Sequence, residues 1–353
     1  MKKQIRFALI GCGRISYRHA ELLYNQIPGA ELAAVCDIVQ EKANKYSQKY
    51  KIPFYTDYKK MLEKENIDVV NILTESGNHA KHTLDVFEYD KHVIVEKPMA
   101  LKISDADAMI QRAEDKKLKL FVVKQNRYNY PVRKLREAIE EGRFGKLVLG
   151  TVRVRWCRKQ NYYNEDSWRG TWAMDGGVFT NQASHHIDLL EWMMGDIESV
   201  SAKSATRLVD IETEDTGIAI LRFTNGALGI IEATTATRPK DLEGSISILG
   251  EKGTVEISGF AVNEMKIWNF SDERTEDTAV LSEYKQNPPN VYGFGHSEYL
   301  KAVVNSLQNN TPAPIDGYEG RKSLLLINAL YESIETGKDI KLHFQPEKSR
   351  LGK

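Results

Sequence analysis

Over the first 123 residues of this chain, short apolar runs take turns with amphipathic ones, and that alternation constrains the fold more than any other feature. Ile5–Ile10, Glu31–Cys36, Val69–Leu73, Val93–Val95 and Leu118–Val123 read as buried strands. Helical spacing fits the intervals at about 14–26, 40–51, 57–64, 78–88 and 103–116. Strand and helix in succession predict a doubly wound parallel sheet with right-handed crossovers. The pattern changes near residue 124. A helix near 131–141 precedes a long strand over 146–156, and the pair Gly176-Gly177 is expected to open a helix reaching Met194. From Val200 to Trp268 strand follows strand, with turn signals at Asn225-Gly226 and Gly250–Gly253. Helices near 294–308 and 318–336 close the chain. The expected fold class is α/β plus α+β. A Rossmann domain spans 1–123. A second domain, 124–353, holds a large, mainly antiparallel sheet with helices on one face.

Charge and cysteine content narrow the function. Lys+Arg and Asp+Glu number 49 each, which argues against a nucleic-acid or polyanion binder. Small anionic substrates remain open through local arginines. Cys12, Cys36 and Cys157 are odd in number and lack CxxC spacing, as expected in a reducing compartment without disulfides or structural zinc. The start, MKKQIRFALIGCGR, imitates a secretory signal, but its apolar run from Phe7 to Ile10 is too short and Arg14 ends it. No segment approaches the ~20 apolar residues of a membrane span. The expected location is the cytoplasm.

Two motifs carry chemistry in the first domain. Gly11 and Gly13 follow the first strand, and Arg14-Ile15 opens a helix. Such glycines let the backbone turn tightly against a pyrophosphate, whose charge the helix amides and dipole favour. The third glycine of the usual fingerprint is Ser16 here. Asp37 ends the second strand, where a carboxylate can hold the ribose hydroxyls of NAD and repel the extra phosphate of NADP. A helix cap is the plainer role for it. Thr74, Glu75, Asn78 and His79, in TESGNH at the end of the fourth strand, would line the cofactor edge or cap the next helix. The second motif is HVIVEKP at 92–98, an apolar strand running into Glu96-Lys97-Pro98. A lysine at the carboxyl end of a buried strand is costly unless something needs it there.

Hydride transfer needs a positioned carbinol carbon and a base for its hydroxyl proton. Lys97 is one candidate base. His185 is the second, four positions after Asn181 on the expected helix, so that the two share a face. A satisfied structural histidine is the alternative for His185, and His186 points a quarter turn away. Zinc is not expected: adjacent histidines diverge on a helix and no HExxH is present. YYNEDSWRGTWAMDGG at 162–177, with Tyr163, Trp168, Arg169 and Asp175, reads as a loop folding over a ligand. Gln125, Asn126 and Arg127 follow the sixth strand at the domain seam. Arg127, Arg155, Arg158 and Arg169 are available for a pyrophosphate or a carboxylate. Arg153, Arg155 and Arg158 alternate along a strand, where solvated sheet residues are the alternative.

Taken together, GCGRI, the strand-ending Asp37, Thr74 to His79, HVIVEKP and the helix carrying His185 resemble the Gfo/Idh/MocA oxidoreductases over nearly the whole chain. The resemblance implies NAD as cofactor and Lys97 with His185 as the catalytic pair. The family's aspartate is Asn181 here, which puts an aspartate-assisted proton relay in doubt. KQNRYN at 124–129, the 162–177 loop and NQASHHIDLL at 181–190 resemble the branch of UDP-N-acetyl-2-amino-2-deoxyglucuronate 3-dehydrogenases of surface polysaccharide synthesis. That likeness implies a cofactor contact for Glu96, Lys97, Gln125, Trp168 and Arg169. It implies a substrate role for Lys97, Asn126, Arg127, Tyr163, Asn181, Gln182 and His185. It also implies recycling of NADH by 2-oxoglutarate and a homotetramer. A dehydrogenase of a free sugar or polyol is the alternative chemistry. A non-catalytic sugar or cofactor sensor is the alternative class, although a sensor has no need of both Lys97 and His185.

Overall fold

The computed structural model describes residues 3–283 and 295–353. The chain forms two compact units: Met1–Lys124 with His296–Arg321, and Gln125–Gly295 with Lys322–Lys353. A late segment of the sequence thus packs with the first unit.

In the first unit strands and helices alternate as the sequence pattern requires: β1 (Ile5–Ile10), α1 (Ser16–Asn25), β2 (Ala30–Cys36), α2 (Gln40–Tyr50), β3 (Phe54–Tyr55), α3 (Tyr58–Lys64), β4 (Val69–Ile72), α4 (His79–Phe87), β5 (His92–Val95), α5 (Ile103–Asp115) and β6 (Leu120–Val122). The six strands are parallel in the order β3-β2-β1-β4-β5-β6. Phe7, Leu9, Val35, Val70, Ile72, Val93 and Val95 are fully buried, as in a sheet covered by helices on both faces. Strand order reverses at β1, and in such sheets ligands bind outside the carboxyl ends of the strands at that point. The glycine turn, Asp37, Thr74 and Glu96-Lys97 all lie at those ends. The edge strand β3 has two residues, too short to leave a periodic signal.

The second unit begins with α6 (Tyr130–Glu140), β7 (Leu147–Arg155), α7 (Gln160–Asn164) and α8 (Ser184–Met194). It continues through β8 (Ile197–Ala205), β9 (Thr216–Phe223), β10 (Leu228–Thr234), β11 (Glu243–Gly250), β12 (Gly253–Ser258), β13 (Glu264–Phe270) and α9 (Asp277–Glu283). Helices α10 (Gly295–Asn309) and α11 (Gly317–Thr336) and the short β14 (Ile340–Lys341) complete the chain. The eight strands are ordered β13-β12-β11-β7-β10-β9-β8-β14, and only β7 and β10 pair in parallel. Helix α8 lies close against β7: a Cβ at Gly150 would stand 2.7 Å from Leu190 and Met194 atoms. On the opposite face Ile218, Ile220, Leu228 and Ile230 are 41–63% exposed, with Ile220 and Ile230 directly paired.

One expected element starts later than its sequence suggests. The helix before Met194 begins at Ser184, not at the glycine pair. Val178 and Phe179 donate their N–H groups to Glu214, to its backbone carbonyl at 3.0 Å and its Oε1 at 3.0 Å. Residues 178–183 form turns, with two of their amides held by Glu214, far away in sequence. Asn181 therefore does not share a helix with His185.

Candidate active site

The glycine turn has the form a dinucleotide needs. Gly11 has φ +100°, and a Cβ there would meet the Leu73 carbonyl oxygen at 2.6 Å. A Cβ at Gly13 would meet nothing within 4 Å, so the turn opens outward beside the start of α1. Ile15 caps α1 without a side-chain hydrogen bond, and the first turn holds no acidic residue. First-turn amides in this state suit an anion. Arg14 is exposed and Ile15 half-buried at the same edge. Ser16, in place of the third glycine, is buried, and its hydroxyl donates to Gly13 O at 2.6 Å. Asp37 Oδ2 accepts the Cys12 N–H and Oδ1 the Val39 N–H, both at 2.8 Å. The carboxylate is thereby fixed at the end of β2 with acceptor capacity to spare. A close glycine turn, an open helix start and a held carboxylate fit NAD.

Lys97 stands out by exposure. From Val93 to Ala100 it is the one residue that is not buried. Its neighbour Glu96 is buried and turned inward, with Oε1 3.0 Å from His19 Nε2. Glu96 is thus part of the frame and not of the open edge. His79 is likewise buried: its ring nitrogens lie 2.7 Å from Pro98 O and 3.0 Å from Thr74 O. Burial pushes its pKa below the usual value, against the pull of those carbonyls. Neutral His79 has one N–H to donate, and the shorter contact places it on Nδ1 toward the Pro98 carbonyl of the loop after β5. Thr74, Glu75 and Asn78 remain half-buried at the edge. Thr74 Oγ1 pairs with His82 Nδ1 at 3.0 Å, and Glu75 accepts from the Asn78 amide.

In the second unit, Asn181 and His185 are the two residues from Asp175 to Leu190 that are not buried. Gln125 Nε2 donates to His185 Nε2 over 2.9 Å, which leaves the ring proton on Nδ1. The turn carrying Gln125 is held by a buried fork: Arg127 Nε and Nη2 each donate to Asp188 at 2.8 Å. Asp188 lies three residues after His185 on α8, so this ion pair fixes Gln125 against the histidine. Arg127 also stacks on Trp192, 4.8 Å from the ring centre. Asn126 is buried beside it. His186 is buried against Trp156, and burial pushes it down to about 4, so it stays neutral.

Asp175 is the residue whose importance the sequence understated. It is 1% exposed, and its Oδ1 accepts from Asn181 Nδ2 at 2.6 Å while Oδ2 accepts Gly170 N–H at 2.8 Å. A buried carboxylate thus stands directly behind the asparagine that replaces the family's aspartate. Its place before a glycine pair was the available signal. Tyr163 points inward, with its hydroxyl 3.1 Å from Thr235 Oγ1, and Gln182 is buried near Tyr162. Trp168 lies under the Arg169 guanidinium at 4.7 Å.

The arginines offered for an anion are paired within the protein. Arg127 is bound to Asp188, Arg155 to Glu232 and Glu243, Arg158 to Asp241, and Arg169 to Asp166. All four offered for a pyrophosphate or a carboxylate already have a carboxylate within hydrogen-bond distance. Arg153 and Arg155 also project from the sheet face opposite α8, since Gly150 of the same strand faces that helix. Arg158 lies beyond the end of β7 and does not continue their row.

Comparison with known proteins gives the family. Residues 5–124 match the model of the oxidoreductase family's NAD-binding Rossmann fold, and residues 136–342 match that of its C-terminal alpha/beta domain. The chain belongs to the Gfo/Idh/MocA oxidoreductase family. As a member, it is an NAD-dependent dehydrogenase. Among solved structures it is similar to the WlbA dehydrogenase of Bordetella pertussis in complex with NADH and UDP-GlcNAcA. That likeness has a TM-score of 0.91 and 42% identity, over 96% of this chain and 98% of the other. It is similar also to the WlbA dehydrogenase of Chromobacterium violaceum with the same two ligands, at TM-score 0.91 and 41% identity, over 97% and 96%. A curated relative, myo-inositol 2-dehydrogenase of Thermotoga maritima, is 27% identical over 96% of this chain and 98% of its own. Among the described residues, the three cysteines are free and no helix is long and apolar enough to cross a membrane.

Proposed function

We propose that this Gfo/Idh/MocA member oxidises the carbon-3 hydroxyl of UDP-N-acetylglucosaminuronate to a ketone with NAD, a step in making sugars for surface polysaccharides. What carries the reading is the likeness to two dehydrogenases solved with NADH and UDP-GlcNAcA, above 40% identity and over nearly the full chain. NAD, when bound, supplies the hydride acceptor. Lys97 and His185 handle the hydroxyl proton. Lys97 is the favoured base, being the half-buried residue in a buried strand end. His185 orients or relays, with its Nε2 already an acceptor from Gln125. Asn181, backed by Asp175, holds the substrate without titrating. Trp168, stacked under Arg169, contacts the cofactor. Recycling of NADH by 2-oxoglutarate and a cytoplasmic location belong to the same proposal.

The test is an assay with UDP-N-acetylglucosaminuronate and UDP-N-acetylglucosamine, adding 2-oxoglutarate to remove NADH. The uronate should be preferred at least about a hundredfold in kcat/KM, as expected for losing a charge-assisted contact. Comparable rates would make the neutral sugar the substrate. Turnover on neither, with turnover on a free polyol, would move the protein toward its inositol-oxidising relative.

A further inference from the structure

In the interior of the first unit, His19 of α1, Glu96 at the end of β5 and His296 of α10 meet. All three are buried, and their potential ligand atoms lie within 4.8 Å of one another. His19 Nε2 is 3.0 Å from Glu96 Oε1, and His296 Nε2 is 3.6 Å from the same oxygen. Two imidazoles and a carboxylate could hold a divalent cation. They could equally form a hydrogen-bonded anchor. The proton on His19 decides between these. Asn71 Nδ2 lies 2.9 Å from His19 Nδ1, and an amide nitrogen only donates. The ring proton of neutral His19 is therefore on Nε2, which donates it to Glu96. A nitrogen in that state has no lone pair for a metal.

The second oxygen of Glu96 holds the backbone of the next residue. Oε2 accepts the Lys97 N–H at 3.2 Å. One residue further on, His79 Nδ1 lies 2.7 Å from the Pro98 carbonyl. Buried side chains thus hold the backbone on both sides of the Lys97 side chain. Burial alone would push the Glu96 carboxyl up, but the contacts with His19 and His296 outweigh it and hold the group well below the usual range. The carboxylate keeps both oxygens as acceptors. A glutamine there has one acceptor oxygen, so it cannot serve His19 and the Lys97 amide from separate oxygens.

We propose that Glu96, anchored by His19 and His296, is a positioning residue that sets the aim of Lys97. The proposal rests on Lys97 taking part in proton transfer, and the experiment separates the two ideas. Turnover, KM and NAD affinity are measured for Lys97→Ala, Glu96→Gln, His19→Leu and His19→Gln, on whichever substrate the wild type oxidises best. Glu96→Gln and His19→Leu should lower kcat by about tenfold to a hundredfold, the loss expected for a reacting group held about 1 Å out of place. KM and NAD affinity should stay near wild type when measured well below each variant's melting temperature. His19→Gln, which keeps a donor toward Glu96, should recover most of the loss seen in His19→Leu. If Glu96→Gln does not fold, the His19 pair carries the same comparison. A normal kcat for Lys97→Ala removes the premise. A strong loss in Lys97→Ala with normal kcat in Glu96→Gln and His19→Leu overturns the positioning role alone. Metal analysis of the purified enzyme should find far less than one zinc per chain. Stoichiometric zinc, lost to a chelator together with activity, would make the cluster a metal site and overturn the proposal.

Discussion

Replacing Glu214 with glutamine should make the protein more stable above neutral pH and change little in acid. Glu214 is buried in the second unit beneath the turn that leads to α8. Its Oε1 accepts from the Phe179 N–H at 3.0 Å and the Tyr331 hydroxyl at 2.9 Å. Its Oε2 is buried without a hydrogen-bond partner among the described residues. Burial is the main reason its pKa rises from 4.5 to about 7, against those donors and with a contribution from the charge of Asp175. The unfolded chain releases this proton near pH 4.5, whereas the folded chain keeps it to about pH 7. Between those values the unfolded state binds fewer protons, so stability falls as pH rises, and the penalty is complete above the folded value. At about 1.4 kcal/mol per pH unit the rise corresponds to about 3 kcal/mol. The substituted glutamine cannot titrate and keeps one carbonyl for Phe179 and Tyr331. Its amide protons against the glycine turn add a cost of about 1 kcal/mol that does not vary with pH. Urea unfolding of both proteins, at intervals from pH 5 to pH 8, reads the difference. The gap should grow with pH in favour of Glu214→Gln and level off above neutrality. Parallel stability profiles would refute the argument, whatever the constant offset.

The remaining expectations concern function directly. Lys97→Ala and His185→Ala should each lower turnover by about a hundredfold or more with NAD affinity largely kept; near-normal turnover removes that residue from the mechanism. Asp37→Ala should weaken NAD and narrow its advantage over NADP, because a carboxylate at the end of β2 no longer meets the 2′-phosphate; in the wild type, NADP binding equal to NAD would contradict the assignment. The apolar outer face at Ile218, Ile220, Leu228 and Ile230 suits sheet-on-sheet packing, and we propose a homotetramer. Light scattering on the wild type and on an Ile220→Asp, Ile230→Asp double variant should show an assembly that the double variant loses; a wild-type mass near 40 kDa contradicts it.

What the sequence made legible follows from how each signal is encoded. The parallel sheet was readable because its strands are apolar on both faces and separated by helical spacing. Lys97 was readable because a charge ends a strand that must be buried. Asn181 and His185 were read as neighbours on one helix, whereas residues 178–183 form turns held at Glu214 and the helix begins at Ser184. Glu214 lies some 35 residues away in sequence, and no local pattern announces such a partner. The same holds for Glu96 and His79, whose roles depend on His19, His296 and the Pro98 carbonyl. The two-residue strand β3 escaped notice for want of length.

The arginines show the limit most clearly, and their pairing bears on substrate recognition. A sequence gives the sign of a side chain but not its partner. Arg127 was read as a ligand for an anion, and it is half of a buried fork with Asp188. Removing it would take a paired guanidinium from the buried Asp188 carboxylate, a cost of about 3–5 kcal/mol in comparable sites, and would release Gln125 from His185. Loss of activity on mutating Arg127 is therefore no evidence of substrate contact. The paired state of Arg155, Arg158 and Arg169 carries the same warning. A uronate carboxylate meeting any of them competes with a carboxylate already in place, so selectivity for it cannot be inferred from the number of arginines nearby. It has to come from groups that the substrate completes. We propose Asn181 for such a role: its amide nitrogen is held by Asp175, and it stays half-buried, four positions before His185. A neutral amide at that position can accept or donate to a sugar hydroxyl without competing for its proton, as the proposal of Lys97 and His185 for proton transfer requires.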